Sequence, residues 1–413
     1  MTTPFEQQAT NARRAALDLA SLTRAAKDAA LEAMAAALQA NEDAVLAANA
    51  DDVARGRADG LSQALIDRLT LNPSRLAGMA AGLRDLARLD DPIGQVVRGW
   101  TLPNGVNVQQ VRVPFGVVGM IYEARPNVTA DAAGICLKSG NAALLRGSSS
   151  AVASNRAVVK ALRAGLQAAG LPVDAVQLIE GGHDVTDEMM RARGLVDLLI
   201  PRGGASLIQA VVQQAQVPVI ETGTGNCHLF VDASANTDMA LSIALNAKTQ
   251  RPSVCNAIET LLVDQAIAAS FVPQLADAMT RADVNLHGDA AACALDARIQ
   301  PANGWDDEFL TLDLRVGVVA DLEAAIEFIR AHSSGHSETI ITNDLAHQRR
   351  FVAAIDAACV LVNASSRFVD GGEFGFGAEI GISTQKLHAR GPMALPEMTT
   401  TKYIIVGDGQ VRQ

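Results

Sequence analysis

Gly116-Val-Val-Gly-Met-Ile-Tyr122, followed by Glu123-Ala-Arg-Pro-Asn-Val-Thr129 and then by Gly140-Asn-Ala-Ala-Leu-Leu-Arg-Gly147, is the stretch whose reading decides the fold. The first run is apolar without alternation and only a few residues long, which predicts a strand buried on both faces. Ala142 to Arg146 repeats that pattern as the next strand. Beyond it a helix is expected with Ser150 as its N-cap and an apolar stripe at Val152, Val159, Leu162 and Leu166, stopping at Gly170 before Pro172. Further strands are expected at 176–180, 196–201 and 218–221. A second block of the same kind begins near Ala233, with strands at 258–263, 316–319, 339–342 and 359–362. Strands alternating with helices predict an α/β protein built on mostly parallel, doubly covered sheets.

Toward the N-terminus, the first ninety residues follow helical periodicity. Between them and the first sheet strand, Val96, Arg98, Trp100 and Leu102 alternate with other residues up to Pro103-Asn-Gly105, and Val106 to Val113 returns. This predicts a β-hairpin with an Asn-Gly turn and a bulge near Gln109. At the other end, Thr399-Thr-Thr-Lys-Tyr-Ile-Ile-Val406 is β-branched and reads as a final strand.

A length of 413 residues allows two domains, and 49% hydrophobic against 19% charged residues is ordinary for a globular chain. Aromatics make up only 3%, so core volume comes from Ala, Val, Leu and Ile. The net charge of −11 argues against a nucleic-acid or anionic-membrane partner. The five cysteines (Cys136, Cys227, Cys255, Cys293, Cys359) are odd in number and scattered, which fits a reducing compartment and neither a disulfide framework nor a metal site. The N-terminal segment lacks a signal-peptide pattern, and no apolar run approaches the ~20 residues of a membrane span, so a cytoplasmic protein is expected. Walker, zincin, G-x-S-x-G and G-x-G-x-x-G patterns are absent.

Two segments carry chemistry. In Asn246-Ala-Lys-Thr-Gln-Arg-Pro-Ser-Val-Cys-Asn-Ala257 a cysteine sits in a helix-to-strand loop with Lys248 and Arg251 close in sequence. Cationic neighbours favour a thiolate nucleophile, while most cysteines are inert core residues, and pattern alone leaves Cys255 between the two. In Glu123-Ala-Arg-Pro-Asn127, at the carboxyl end of the first sheet strand, Arg125 offers a guanidinium fork to an anion. Asn127 is either an amide donor or the N-cap of the next helix.

With these residues in view, the chain resembles the gamma-glutamyl phosphate reductases, a family of the aldehyde dehydrogenase superfamily. Arg251-Pro-Ser-Val-Cys255 looks like the family's nucleophile loop, Glu123 to Val128 like its first-strand motif, and Gly140 to Gly147 like its cofactor strand. Ile200-Pro-Arg-Gly-Gly-Ala-Ser-Leu207, Glu221-Thr-Gly-Thr-Gly-Asn-Cys-His228, Ser334-Gly-His-Ser-Glu338, Asn363-Ala-Ser-Ser-Arg-Phe368 and Phe374 to Thr384 continue the match in order.

The resemblance implies an aldehyde dehydrogenase-like fold of two doubly wound domains plus a small β oligomerisation element. Residues 1–232 would bind NADP(H), with the hairpin 95–113 belonging to the oligomerisation element; residues 233–390 would carry Cys255, and 391–413 the last oligomerisation strand. It implies NADPH-dependent reduction of L-glutamyl 5-phosphate to L-glutamate 5-semialdehyde, in proline biosynthesis. Cys255 would expel phosphate to form a thioester, and hydride transfer would follow. Each well-placed oxyanion donor contributes about 3 kcal/mol; the backbone N–H of Cys255 and Asn127 are the candidates, with Arg125 an alternative to Asn127. Arg125, Arg251 and Arg367 are expected to bind substrate anions. Arg146, Ser148, Gly203, Gly204 and Glu308 are expected to bind the cofactor, the arginine and hydroxyls suiting a 2′-phosphate where no carboxylate follows in the strand's loop.

Glu221 occupies the place of a deacylating glutamate, yet an acyl phosphate reductase has no use for such a water, so a structural or cofactor-facing role is expected. His228 and His336 are read as satisfied histidines or proton donors. A homodimer or homotetramer is expected, and a complex with glutamate 5-kinase would shield the labile substrate. The alternative is an aldehyde dehydrogenase that oxidises a small aldehyde with water deacylation.

Overall fold

Thr3 accepts a hydrogen bond from the Glu6 amide while the Glu6 carboxylate accepts one from the Thr3 amide, a capping box that starts the helix Pro4–Leu19. In the computed structural model residues 3–412 are described. Helices Arg24–Ala40, Glu42–Ala58, Gln63–Leu69 and Pro73–Arg88 complete the helical N-terminal ninety residues. They belong to the first of two compact units, which comprises residues up to 221, 375–381 and from 393 onward.

Next comes the hairpin, β1 (Val96–Thr101) against β2 (Asn107–Pro114). Gly105, with φ at 89°, makes its turn. The bulge lies on β1: Val96 pairs with Val111 and Arg98 with Gln110, so Val97 is the extra residue. The expected bulge near Gln109 is thus corrected, because the change of alternation phase is absorbed by the partner strand. The strand Thr399–Val406 pairs antiparallel with the other edge of β2. β2 becomes the centre of a three-stranded sheet, and its Val108 and Val111 are buried.

β3 (Val117–Tyr122), β4 (Ala142–Gly147), β5 (Val176–Leu178) and β6 (Leu198–Arg202) form a parallel sheet in the order β5-β4-β3-β6. Segment 218–221 contributes a single bridge, Leu199 with Val219, in place of the expected strand. Pro218 has no N–H to donate, so pairing is confined to its carbonyl and the Ile220 amide. The helix Val152–Ala168 begins after a 3₁₀ turn Ser149–Ala151 in which Ser148, not Ser150, is the cap. Its own first amides are satisfied from far away, by the buried Asp52 carboxylate, which accepts from the Ala153 and Ser154 amides. That distant carboxylate removes the need for the local cap the sequence predicted.

The second unit comprises 222–374 and 382–392. Its main sheet has seven strands, β7 (Cys227–Val231), β8 (Ile258–Asp264), β9 (Asn285–Gly288), β10 (Gln300–Pro301), β11 (Asp313–Val319), β12 (Ser337–Ile341) and β13 (Cys359–Val362). They run parallel in the order β10-β9-β11-β8-β7-β12-β13. Because β7 hydrogen-bonds to β8 and β12, the units divide at 221/222, earlier than the expected 232/233. Leu229, Val231, Ile258, Leu261, Phe271 and Leu275 belong to one buried core cluster of this unit. No helix among the described residues is long and apolar enough to cross a membrane.

Candidate active site

In the first unit the residues expected to bind ligands lie past the carboxyl ends of the strands, the edge where open α/β sheets bind them. Strand order reverses between β3 and β6, and the loops after these two strands abut. A Cβ built on Gly203 would lie 2.7 Å from the Glu123 carboxyl carbon, so any side chain there would have to push the Glu123 carboxylate aside. Gly204 is the N-cap of the helix Ala205–Gln214 and offers no side chain to its first amides. Arg125 is the N-cap of the helix Pro126–Lys138, with Pro126 at its first position. Asn127 is therefore inside the first turn and not the cap. Its Nδ2 donates to Asp131 Oδ2 at 3.2 Å, one turn on. Burial pushes the Asp131 carboxyl up to about 6, against the Asn127 hydrogen bond and Arg202, which pull it down.

A cleft follows β4, lined by Arg146, Ser148, Ser149, Asn155, Glu180 and Gly181 among others. Arg146 donates to the carbonyls of Gly147 (2.7 Å) and Gly181 (2.6 Å), and its Nε is buried without an acceptor among the described residues. Burial lowers its pKa, with Glu180, Tyr122 and Asp184 acting the other way. A Cβ on Gly147 would meet Asn155 Nδ2 at 2.1 Å, so the Asn155 amide packs directly on the end of the strand. The loop after β4 carries no carboxylate, yet the fold delivers one from the end of β5: Glu180 lines the cleft and is ion-paired with Arg156. The arginine with an orphaned donor and the serine hydroxyls beside it fit a phosphorylated dinucleotide.

In the second unit Cys255, half-buried, lies in the loop between the helix Thr237–Thr249 and β8. The loop is fastened through Asn256, whose Nδ2 donates to the Val369 carbonyl at 2.8 Å and whose carbonyl accepts from Ser366 Oγ at 2.5 Å. From beneath, Cys227 Sγ donates to the Cys255 carbonyl at 3.2 Å. Gly225 packs so closely that a Cβ there would lie 1.6 Å from that oxygen.

Arg367 Nε donates to Gln250 Oε1 at 2.7 Å, and the guanidinium lies in the electrostatic field of both Arg251 and Cys255. Burial lowers the Arg367 pKa first; Asp370 and the Cys255 thiolate raise it, and Arg251 lowers it. By reciprocity the guanidinium favours the thiolate. A cavity of about 210 Å³ beside it is lined by Asn246, Gln250, Arg367, Phe368, Asp370 and Glu373. Lys248, expected as a cationic neighbour of the thiol, is instead fully buried against Glu259, Nζ to Oε2 at 3.0 Å, and its charge is committed there.

Glu308 shares this unit: its Oε1 accepts from the Gly225 amide at 3.1 Å, linking it to the glycine under the cysteine. His228 and His336 are both fully buried. His228 Nδ1 meets Glu338 Oε2 at 3.1 Å, and His336 Nδ1 meets Ser337 Oγ at 2.8 Å. Glu221 ends the first segment of the first unit. Thus Cys255, Arg251, Arg367 and Glu308 are gathered in the second unit, and Arg125, Asn127, Arg146, Ser148, Gly203 and Gly204 along one sheet edge of the first. Gly225 and Cys227 lie in the segment Glu221 to His228, whose pattern assigned neither of them a role, and Glu180 had no local signal marking it.

Residues 3–302 match the aldehyde dehydrogenase family. The chain is 62% identical to the gamma-glutamyl phosphate reductase of Cutibacterium acnes, over 100% of this chain and 99% of that protein. It is 58% identical to the gamma-glutamyl phosphate reductase of Thermobifida fusca, covering 98% and 97%. The crystal structure of the gamma-glutamyl phosphate reductase of Thermotoga maritima superposes with a TM-score of 0.97 at 43% identity, covering all of both chains. An acetylating aldehyde dehydrogenase of Geobacillus thermoglucosidasius shares the fold with a TM-score of 0.70 at 17% identity, covering 99% and 97%.

Proposed function

The chain belongs to the aldehyde dehydrogenase family, among its gamma-glutamyl phosphate reductases, and from that premise we propose that it reduces L-glutamyl 5-phosphate to L-glutamate 5-semialdehyde in proline biosynthesis, with NADPH as donor and Cys255 as nucleophile. The observation that carries this reading is the half-buried Cys255 in a fastened loop, sharing its field with Arg251 and with Arg367, which lines a cavity. The Cys255 thiolate attacks the γ-acyl carbon; an S–C bond forms, the C–O bond to phosphate breaks, and the phosphate leaves with the electron pair. Arg251 and Arg367 balance the charge of that dianion, and Arg125 binds a substrate anion. The Cys255 amide and Asn127, or Arg125 in its place, stabilise the tetrahedral oxyanion. Arg146, Ser148, Gly203, Gly204 and Glu308 would hold NADP(H), which when bound supplies the hydride.

The three-stranded sheet supports a homodimer or homotetramer, because Val97, Trp100, Tyr403, Ile405 and Val406 leave apolar surface on it. The scattered thiols support a cytoplasmic setting. Association with glutamate 5-kinase would protect the acyl phosphate, and a pull-down of the two purified proteins tests it.

The deciding experiment follows NADP⁺ reduction with glutamate 5-semialdehyde, with and without inorganic phosphate, for wild type and Cys255→Ala. The reading expects a requirement for phosphate and no activity in the variant. Equal turnover without phosphate would instead make Glu221 a deacylation base and the chain a hydrolytic aldehyde dehydrogenase. An active Cys255→Ala variant would remove the nucleophile.

A further inference from the structure

Three buried charged side chains have no part in the chemistry above. Lys248 comes from the helix Thr237–Thr249, Glu259 from β8 and Arg315 from β11, and each is at most 1% exposed. Burying three charges is costly, and apolar side chains of the same volume would fill the space more cheaply, so a local reason for them is needed. Their polar atoms supply it, because most point at one segment. Arg315 Nε donates to the Gly304 carbonyl and its Nη1 to the Asp307 carbonyl, both at 2.8 Å. Glu259 Oε1 accepts from the Leu310 amide at 3.4 Å, and the same carboxylate is hydrogen-bonded by the Phe309 amide. Leu310 has φ at 57°, a left-handed conformation that a leucine holds only when its surroundings impose it. The Phe309 ring lies over the Arg315 guanidinium, 3.9 Å from Cζ to centroid, with Lys248 Nζ at 6.0 Å.

Glu308 is the residue between these anchors. The carbonyl before it, the ring and amide after it, and the strained residue beyond are all held from beneath. Its own Oε1 is left facing the Gly225 amide. We propose that Lys248, Glu259 and Arg315 are positioning residues for the cofactor, which clamp the segment Gly304–Leu310 and thereby aim the Glu308 carboxylate. The proposal rests on the reading of Glu308 as a cofactor ligand. Lys248 extends the clamp to the nucleophile loop, since its Nζ also donates to the Ile258 carbonyl at 3.1 Å, three residues after Cys255.

Two measurements on the full-length protein test it. The first is NADPH affinity, by quenching of protein fluorescence, for Glu308→Gln, Glu259→Gln, Arg315→Met and the doubles with Glu308→Gln. Loss of one charge-assisted hydrogen bond predicts an about tenfold weaker Kd for each single variant. The doubles are expected to bind no more weakly than Glu308→Gln alone, because a clamp acts only through the group it holds; additive losses would overturn the proposal. The second is hydrogen exchange without cofactor. Glu259→Gln and Arg315→Met should accelerate exchange in 304–310 while β8 stays protected, and unchanged exchange there overturns the clamp. Where a core variant unfolds, Phe309→Leu, which removes the ring from a half-buried site, gives the same two readouts. If Glu308→Gln leaves NADPH affinity unchanged, the reading of Glu308 fails, and with it the proposal. If Glu308→Gln weakens binding but the clamp variants do not, only the clamp fails.

Discussion

The backbone of Gly225 lies against the carbonyl of Cys255, so closely that a single methyl group on Gly225 would stand 1.6 Å from that oxygen. The contact is backbone to backbone, with no flexible side chain able to yield. Gly225→Ala must therefore move the Cys255 loop, and with Cys255 as the proposed nucleophile a displacement of about 1 Å there costs on the order of 10²-fold in rate. We expect kcat to fall by about that factor while the far-ultraviolet circular dichroism is unchanged. A variant with wild-type kcat would show that the loop relocates without consequence.

Arg367 and Cys255 interact, and the sign follows from the direction of the effect. The thiolate raises the Arg367 pKa, so the guanidinium must equally favour the thiolate. Arg367→Met is expected to slow iodoacetamide alkylation of Cys255 several-fold at pH 7 and to move its pH–rate midpoint upward. A midpoint unchanged from wild type would remove Arg367 from the thiol's environment.

Cofactor preference tests the cleft after β4. Arg146 and Glu180 face it with opposite charges, and Arg156 offsets the second. Arg146→Ala should raise the KM for NADPH about tenfold, the cost of one charged contact, and that for NADH much less. Glu180→Gln should shift the ratio modestly toward NADPH. Equal losses for both cofactors in Arg146→Ala would mean that the arginine only supports the loop through its bonds to Gly147 and Gly181.

His347 and Asp232 give a pH-dependent contribution to stability. The hydrogen bond to Asp232, whose Oδ1 lies 2.7 Å from Nδ1, raises the His347 pKa above its ordinary 6.5, against burial. Burial opposes ionisation of Asp232, but Ser234, Thr342 and His347 outweigh it and hold its carboxyl below 3.8. A raised histidine stabilises fully below 6.5, and the gain is lost as pH rises through its folded value. A depressed aspartate stabilises above 3.8 and loses its gain as pH falls through its own. The melting temperature of His347→Gln should thus trail wild type most near about pH 5.5, and less near about pH 9. A constant gap across that range would contradict the pairing.

What the sequence determined alone is what chain-local rules record. A short apolar run makes β3 a doubly buried strand, Asn104-Gly105 makes a hairpin turn, and a β-branched run makes the strand Thr399–Val406. Each depends only on neighbours within a few residues. The position of Cys255 between a helix and a strand was legible for the same reason. The tertiary structure decided which charges and backbones meet. Asp52 caps a helix a hundred residues away, Lys248 turns from the thiol to Glu259, Glu180 enters the cleft after β4 from another strand, and Gly225 underlies Cys255. No periodicity encodes such meetings, because burial and pairing energies are set by whichever distant segment the folded chain brings alongside, and sequence spacing carries no record of that distance.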